Sequence, residues 1–293
     1  MTMKKIATVQ DISCLGKCSL TVALPVISAM GVEACIVPTA VLSTNTLYPD
    51  FHFRDLTSDI QPILDHWKRQ GFTFDALYTA FLGSFEQIDL MKSFLRDFGR
   101  GGALKVVDPC MADDGRFYPG FTPAYAQAMR SLCSEADIIV PNMTEACFLL
   151  GRPYQAVGYD LAYIRDMLRA LADMGARKVV LKSVQFDRLQ EGLPDTTGKM
   201  GIMAYDAVTG EFTYYFHEKM PVSFHGTGDI YASVLTGAMV RGMTLQQAYS
   251  LAADFVVEAI RVTIARPDYN TFRVDFEAAI PYLIERLGQA VGQ

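Results

Sequence analysis

Phe224-His225-Gly226-Thr227-Gly228-Asp229 runs straight into Ile230-Tyr231-Ala232-Ser233-Val234-Leu235, and no other stretch of the chain says as much. Two glycines flanking a threonine let the backbone turn tightly and aim successive N–H groups into one space. The apolar helix that follows adds its positive end to that space. Such a turn is an anion hole, suited to the charge that builds on a phosphoryl group in transfer. Asp229 enters the first helical turn beside it, where a carboxylate can take the proton of an attacking hydroxyl. Read alone, the same residues are equally a loop with a helix-capping Asp.

Upstream of this turn, short apolar runs alternate with amphipathic segments. The pattern predicts strands over 5–10, 34–41, 75–81, 103–108, 136–140 and 177–183, then a hairpin of 199–206 with 211–217 around Thr209-Gly210. Helices are expected near 18–30, 57–70, 84–98, 122–133, 143–150 and 158–174, and after the hairpin near 227–241, 244–264 and 274–287. Leu104–Asp108 and Asp137–Val140 are apolar in the manner of strands covered on both faces. Gly31, Gly71, Gly99, Gly151 and Gly175 fall where helices should stop. The expected fold is α/β: one domain over 1–293, three-layered, with a mostly parallel central sheet, helices on both faces and some antiparallel strands late in the chain. In such sheets ligands bind beyond the carboxyl ends of the strands, so the loops there are where chemistry belongs.

Composition narrows the partners. Of 293 residues 51% are apolar, far too many for a disordered chain, and Lys+Arg number 26 against 32 Asp+Glu, a net charge of −6. That balance offers no footprint for nucleic acid and no basic cluster for an anionic membrane. Six cysteines are too sparse for a disulfide framework, and Cys14 and Cys18 stand four apart with no CxxC pair for zinc. Reduced thiols in a cytoplasmic protein are expected. Met3-Lys4-Lys5 is followed only by Ile6-Ala7-Thr8-Val9 before Gln10 and Asp11, a run too short for a secretory signal. Val22–Leu42 is the greasiest stretch, but Pro25, Gly31, Glu33 and Pro38 divide it into a buried helix and a buried strand. The sequon Asn142-Met143-Thr144 is then without consequence.

Two further loops follow apolar strands. Asp108-Pro109-Cys110-Met111-Ala112-Asp113-Asp114-Gly115 sets three carboxylates at a strand end, although Pro, Asp and Gly also make ordinary turns. Pro141-Asn142-Met143-Thr144-Glu145-Ala146 has the spacing of a capping box, which explains Asn142 and Glu145 without any chemistry. Carboxylates at several strand ends beside an anion hole would together hold Mg²⁺ through water, since that ion takes few direct protein ligands. Cys110 reads as a small buried filler.

With these motifs in order, the sequence resembles the ribokinase-like superfamily, and within it the pyridoxal/pyridoxamine kinases of vitamin B6 salvage. The resemblance rests on Gln10-Asp11-Ile12-Ser13-Cys14-Leu15-Gly16, Ser43-Thr44-Asn45-Thr46, the Asp108–Gly115 loop, Pro141-Asn142-x-x-Glu145-Ala146 and Gly226-Thr227-Gly228-Asp229, and so spans nearly the whole chain. It implies Asp229 as catalytic base and Gly226, Thr227 and Gly228 as anion hole. Asp108, Asp113 and Glu145 match positions near the nucleotide phosphates, with Asp108 and Glu145 towards Mg²⁺ and, in many members, a monovalent cation (K⁺ or Na⁺). Lys182-Ser183 matches a place where polar side chains meet ATP, though a strand-end lysine also snorkels for no functional reason. Asp11 and Thr46 match positions at the polar edge of the substrate ring, Phe81 an aromatic that stacks on it, and Tyr118 part of a covering loop. Core packing accounts equally well for Phe81. The family further implies a small-molecule alcohol as acceptor and a homodimer through the sheet edge.

Departures matter too. Many pyridoxal kinases carry Ser where this chain has Asp11, which implies other hydrogen-bond rules there and favours a substrate with an amine. His225 is reminiscent of the sister hydroxymethylpyrimidine kinases of thiamine synthesis, the alternative reading. Those commonly place Cys where Asp229 stands, which returns the balance to vitamin B6. The dinucleotide signature G-x-G-x-x-G is missing after the first strand, and the Walker pattern G-x-x-x-x-G-K-[ST] occurs nowhere.

Overall fold

Strands that read as apolar on both faces end up in the middle of a sheet with helices on either side. The computed structural model describes residues 3–291. In chain order the strands are β1 (Lys5–Ser13), β2 (Glu33–Leu42), β3 (Phe53–Asp55), β4 (Ala76–Thr79), β5 (Leu104–Val107), β6 (Ala112–Asp113), β7 (Arg116–Phe117), β8 (Ile138–Ile139), β9 (Lys178–Val184), β10 (Lys199–Asp206) and β11 (Glu211–Glu218). The helices are α1 (Leu20–Ala29), α2 (Thr57–Arg69), α3 (Phe85–Gly99), α4 (Pro123–Cys133), α5 (Met143–Leu150), α6 (Leu161–Ala172), α7 (Thr227–Val240), α8 (Leu245–Ile264) and α9 (Ile280–Val291). One nine-stranded sheet has the order β11-β10-β9-β8-β5-β4-β1-β2-β3, and β6 with β7 forms a separate hairpin. From β2 to β9 every pairing in the sheet is parallel, while β3, β10 and β11 join antiparallel.

Alternation along the strands sorts the core into two layers. Ala7, Val9, Leu77, Val107, Ile139, Val179 and Leu181 face the layer of α2 to α6. Ile6, Ala76, Tyr78, Val106, Ile138 and Val180 face the layer of α1, α7, α8 and α9. Helix α6 shows why these segments are helical: Ile164, Met167, Leu168 and Leu171 recur on one face and are wholly buried. It starts at Leu161 because the Asp160 carboxylate accepts the Tyr163 N–H at 2.8 Å. By contrast α7 is buried all round, from Asp229 through Ala238. It touches α1 so closely that a Cβ on Gly237 would lie 2.6 Å from Met30 Sδ. A helix held on every side makes a rigid support for whatever its N-terminus does.

Several details differ from the sequence reading. Strand β3 was not expected, because all three of its residues are exposed at the sheet edge and carry no apolar alternation. The β6–β7 hairpin lies inside what reads as a plain turn. Gly99 does not end its helix in a left-handed conformation; it is the last residue of α3, whereas Gly31, Gly71, Gly151 and Gly175 do have positive φ. The helix expected over 274–287 is a 3-10 turn, Phe276–Ala279, followed by α9, with Pro281 tolerated in the first turn.

A bulge in β9 bears directly on the site. Val184 pairs with Gly201 and Leu181 with Met203, so β9 advances one residue further than β10 over the same span. Ser183 takes φ 63° there. Bulges re-aim side chains next to active sites, and this one carries Lys182. Gly201 sits under the Phe216 ring of β11, where a Cβ would fall 2.3 Å from a ring carbon. Gly201→Ala should therefore cost about 1–3 kcal/mol by displacing that ring, read as a lower urea midpoint with unchanged slope.

Candidate active site

Asp229 is the third residue of α7 and does not cap its own helix. Its Oδ2 accepts the backbone N–H of Ser19 at 2.9 Å, across the chain from the loop after β1. Gly226 precedes the helix at φ 84°, a left-handed conformation in which no side chain caps the helix N-terminus. The N–H groups of Thr227, Gly228 and Asp229 thus have no intrahelical acceptor and point outward together. A Cβ on Gly226 would meet the Lys17 carbonyl oxygen at 2.2 Å, so only glycine fits. Thr227 turns its hydroxyl back to donate to the Phe224 carbonyl at 3.0 Å, which stiffens the turn. Gly228 is exposed, and Lys182 Nζ lies 4.0 Å from where its Cβ would be. The uncapped N–H groups and a lysine ammonium therefore border one space.

Across that space stands Asp108, one residue beyond β5. Lys182 Nζ donates to both of its carboxylate oxygens at 3.2 Å, and the Asp108 N–H continues the sheet by donating to Thr79 O at 2.9 Å. Lys182 is fixed from behind, its own N–H donating to Pro141 O at 2.9 Å. Glu145 does make the capping box with Asn142, Oε2 accepting the Asn142 N–H at 2.8 Å. Its Oε1 accepts the Met111 N–H at 3.2 Å as well, tying α5 to the loop after β5. Asn142 Nδ2 and Thr144 Oγ1 pin the same loop at Ala112 O and the Gly115 N–H.

Four carboxyl groups are buried here: Asp11, Asp108, Glu145 and Asp229. Burial pushes Asp229 up to about 7; the Ser19 N–H pulls it back, Asp108 and Asp11 push it further, and Lys182 opposes them. Burial likewise raises Asp108, Glu145 and Asp11 above the ordinary carboxylate range, with Lys182 working against the shift at Asp108 and Glu145. For Lys182, burial would lower the pKa, but Asp108 and Glu145 outweigh it and keep the ammonium charged. Cys110 is only half-buried rather than a buried filler, but desolvation and the neighbouring carboxylates push its thiol up and away from nucleophile chemistry.

The residues expected around an acceptor are less tightly gathered. Asp11, in β1, is buried and accepts the Ser13 hydroxyl at 3.0 Å. Thr46 is exposed and bonds to none of these groups among the described residues. Its neighbour Asn45 is the buried one, with Nδ2 donating to Gly16 O at 3.1 Å and to Phe272 O at 2.8 Å. Phe81, just past β4, lies half-buried with its ring 5.6 Å from that of Phe121, which stacks on Tyr125 at 4.0 Å. Tyr118 closes the β6–β7 hairpin, its N–H donating to Met111 O at 2.9 Å, and burial pushes its phenol well up. Asp113 is exposed at the hairpin tip and accepts the Asp114 N–H at 3.0 Å. Ser183 is half-buried in the β9 bulge. Sequence reasoning gave no role to Ser19 and Lys17, and within the Ser43–Thr46 motif it picked Thr46 rather than Asn45; these three shape the loop that meets Asp229.

No group of three or more His, Cys, Asp or Glu side chains stands ready to hold a metal ion among the described residues. Asp108 is engaged by Lys182 and Glu145 by two backbone N–H groups. A cation bound through water beside Asp108 and Glu145 would have to draw these raised acids into their ionised form, and the Lys182 ammonium already engages one of them.

The molecule's relatives share this arrangement of fold. The chain is similar to a protein of Bacteroides thetaiotaomicron that carries the phosphomethylpyrimidine kinase name and was crystallised with pyridoxal, at 36% identity and a TM-score of 0.88, over 96% of each chain. It is similar to a pyridoxine/pyridoxal/pyridoxamine kinase of Bordetella avium, 28% identical over 88% of this chain and 85% of that one. A hydroxymethylpyrimidine/phosphomethylpyrimidine kinase of Haemophilus influenzae is likewise 28% identical, over 88% and 91%. The phosphomethylpyrimidine kinase family model matches residues 22–272. With that match, and with a fold similar to that of pyridoxal kinase from Lactobacillus plantarum at a TM-score of 0.84 and 29% identity over 97% of this chain and 98% of that one, the chain belongs to the phosphomethylpyrimidine kinase family and has a ribokinase-like fold.

Proposed function

We propose that the protein transfers the γ-phosphoryl group of ATP to the 5′-hydroxymethyl group of a vitamin B6 vitamer: pyridoxal, pyridoxamine or pyridoxine. The observation that carries this reading is Asp229, buried beside an uncapped helix N-terminus and raised to about 7, in the range of a working general base. The Asp229 carboxylate takes the hydroxyl proton as the alcohol oxygen attacks the γ-phosphorus in line. The N–H groups of Gly226, Thr227, Gly228 and Asp229 receive the charge on the transferring oxygens. Lys182, opposite Gly228, adds a fixed positive charge on the nucleotide side, oriented by Asp108, with Ser183, Asp113 and Glu145 around the phosphates. Asp108 and Glu145 would hold Mg²⁺ through water, which would supply positive charge to the phosphates, and a K⁺ or Na⁺ ion belongs to the same reading. Asp11 and Thr46 bind the polar edge of the ring, Phe81 stacks on it and Tyr118 covers it. The reading extends to a cytoplasmic homodimer; no helix among the described residues is long and apolar enough to cross a membrane.

A second reading, phosphorylation of hydroxymethylpyrimidine or its phosphate, is favoured by the family model and the Haemophilus influenzae relative. Incubation with Mg·ATP and each of pyridoxal, pyridoxine, pyridoxamine and hydroxymethylpyrimidine, with detection of the phosphorylated product, separates the two. A B6 phosphate is expected, and formation of the pyrimidine phosphate alone would make the second reading correct.

Asp229→Asn should lower kcat by at least about 10²-fold, with ATP affinity measured by titration nearly unchanged. Near-normal turnover removes Asp229 from its role.

The same substitution should stabilise the fold, in a pH-dependent way. A carboxyl whose pKa rises on folding from 3.8 to about 7 favours the native state fully below pH 3.8, and that contribution drains away as pH rises to 7. Relative to wild type, Asp229→Asn should therefore gain as much as about 4 kcal/mol at pH 8 and almost nothing near pH 4. Denaturant titrations at the two pH values check the sign.

A further inference from the structure

Ser19 reaches Asp229 from a loop under strain. Gly16, Lys17 and Ser19 all have positive φ, at 115°, 51° and 53°, and the latter two have no glycine's freedom. Such a conformation persists only where surrounding contacts fix it, and those contacts come from a distant part of the chain. Lys17 Nζ donates to Asp275 Oδ1 at 2.6 Å and to Glu277 Oε2 at 2.8 Å. Asp275 is itself anchored: Arg266 pairs with its Oδ2 at 2.9 Å, and its N–H donates to Thr263 Oγ1 at 2.8 Å in α8. Asn45 bridges Gly16 O to Phe272 O, and the His225 N–H donates to Thr271 O at 3.3 Å, so the segment 271–277 lies across both the strained loop and the turn into α7.

The Lys17–Asp275 pair is mostly shielded from water, with side-chain exposures of 24% and 11%. That separates it from the solvated surface pairs that contribute little. The loop backbone is also the wall of the anion hole, because Lys17 O is what forbids a side chain at Gly226. Any relaxation of Lys17 moves both the donor to Asp229 and that wall.

We infer that Lys17 is a positioning residue for phosphoryl transfer: clamped by Asp275, with Glu277 and Asn45 assisting, it holds the Ser19 N–H against Asp229 and the loop backbone against Gly226. Lys17 touches neither nucleotide nor acceptor in this scheme and acts through the loop it fixes. The inference deepens the kinase reading and rests on it for its kinetic arm, but not for its structural one.

The test uses Lys17→Met, Lys17→Arg and Asp275→Asn in the full chain. In the kinetic arm, Lys17→Met and Asp275→Asn should each lower kcat by about tenfold or more while KM for ATP stays within about twofold. Lys17→Arg should recover most of the loss, and the double variant Lys17→Met/Asp275→Asn should be no worse than the poorer single one. In the structural arm, hydrogen exchange at the Ser19 amide should quicken by about tenfold or more in Lys17→Met and Asp275→Asn, with the α7 amides beyond its first turn unchanged. If Lys17→Met does not fold, Asp275→Asn carries both arms. Wild-type turnover in these variants, or unchanged protection at Ser19, overturns the inference. A wild-type protein that phosphorylates no acceptor sinks the kinase reading instead, and the exchange measurement still decides whether the clamp exists.

Discussion

The bond between Lys182 and Asp108 is what makes the rest of this site possible. Four carboxyl groups share one dry end of the sheet, and each pays a desolvation cost of several kcal/mol if it ionises there. Lys182 offsets part of that cost with a charge of its own, held at 3.2 Å from both Asp108 oxygens and kept on the lysine because Asp108 and Glu145 outweigh burial. The compensation is incomplete by design of the geometry: one ammonium faces several acids. What remains uncompensated is relieved by holding protons, so Asp229 titrates near neutrality rather than as an ordinary aspartate.

The fold serves this arrangement by delivering short polar ends from long apolar strands. β1, β5 and β9 carry Asp11, Asp108 and Lys182 to the same edge because they run parallel, and β8 delivers Asn142 and Glu145 at the start of α5. Helix α7 enters from one face and is buried all round from Asp229 through Ala238, so the body behind its first turn holds that turn against the sheet. Regular structure is broken where the site needs it: at the β9 bulge, at the register shift of β1 around Asp11 and at the glycine turn into α7.

Much of this was legible in the letters. Periodicity located the principal strands and the helices to within a few residues, since their apolar faces are the core itself. The turn at Gly226-Thr227-Gly228-Asp229 and the acids after β5 and β8 stood out because polar residues at strand ends break an apolar pattern. What stayed hidden has a common cause. Ser19 works through its backbone N–H, which every residue but proline possesses. Lys17 and Asp275 are ordinary surface-type letters 258 positions apart, and nothing local pairs them. The choice between Asp229 as cap and Asp229 as acceptor from another loop is likewise a matter of where the chain returns. β3 and the β6–β7 hairpin escaped for the opposite reason, being too short or too exposed to leave a pattern.

The 210 positions between Ser19 and Asp229 also set the order in which function can arise during synthesis. Contacts of that span close late, after most of the loop entropy has been spent. On the ribosome the β1 loop emerges long before α7, and segment 271–277 later still, so a nascent chain can assemble most of its sheet while its aspartate remains hydrated and acidic. Only the finished polypeptide withdraws that carboxyl from water, which couples the appearance of a usable base to the completion of folding.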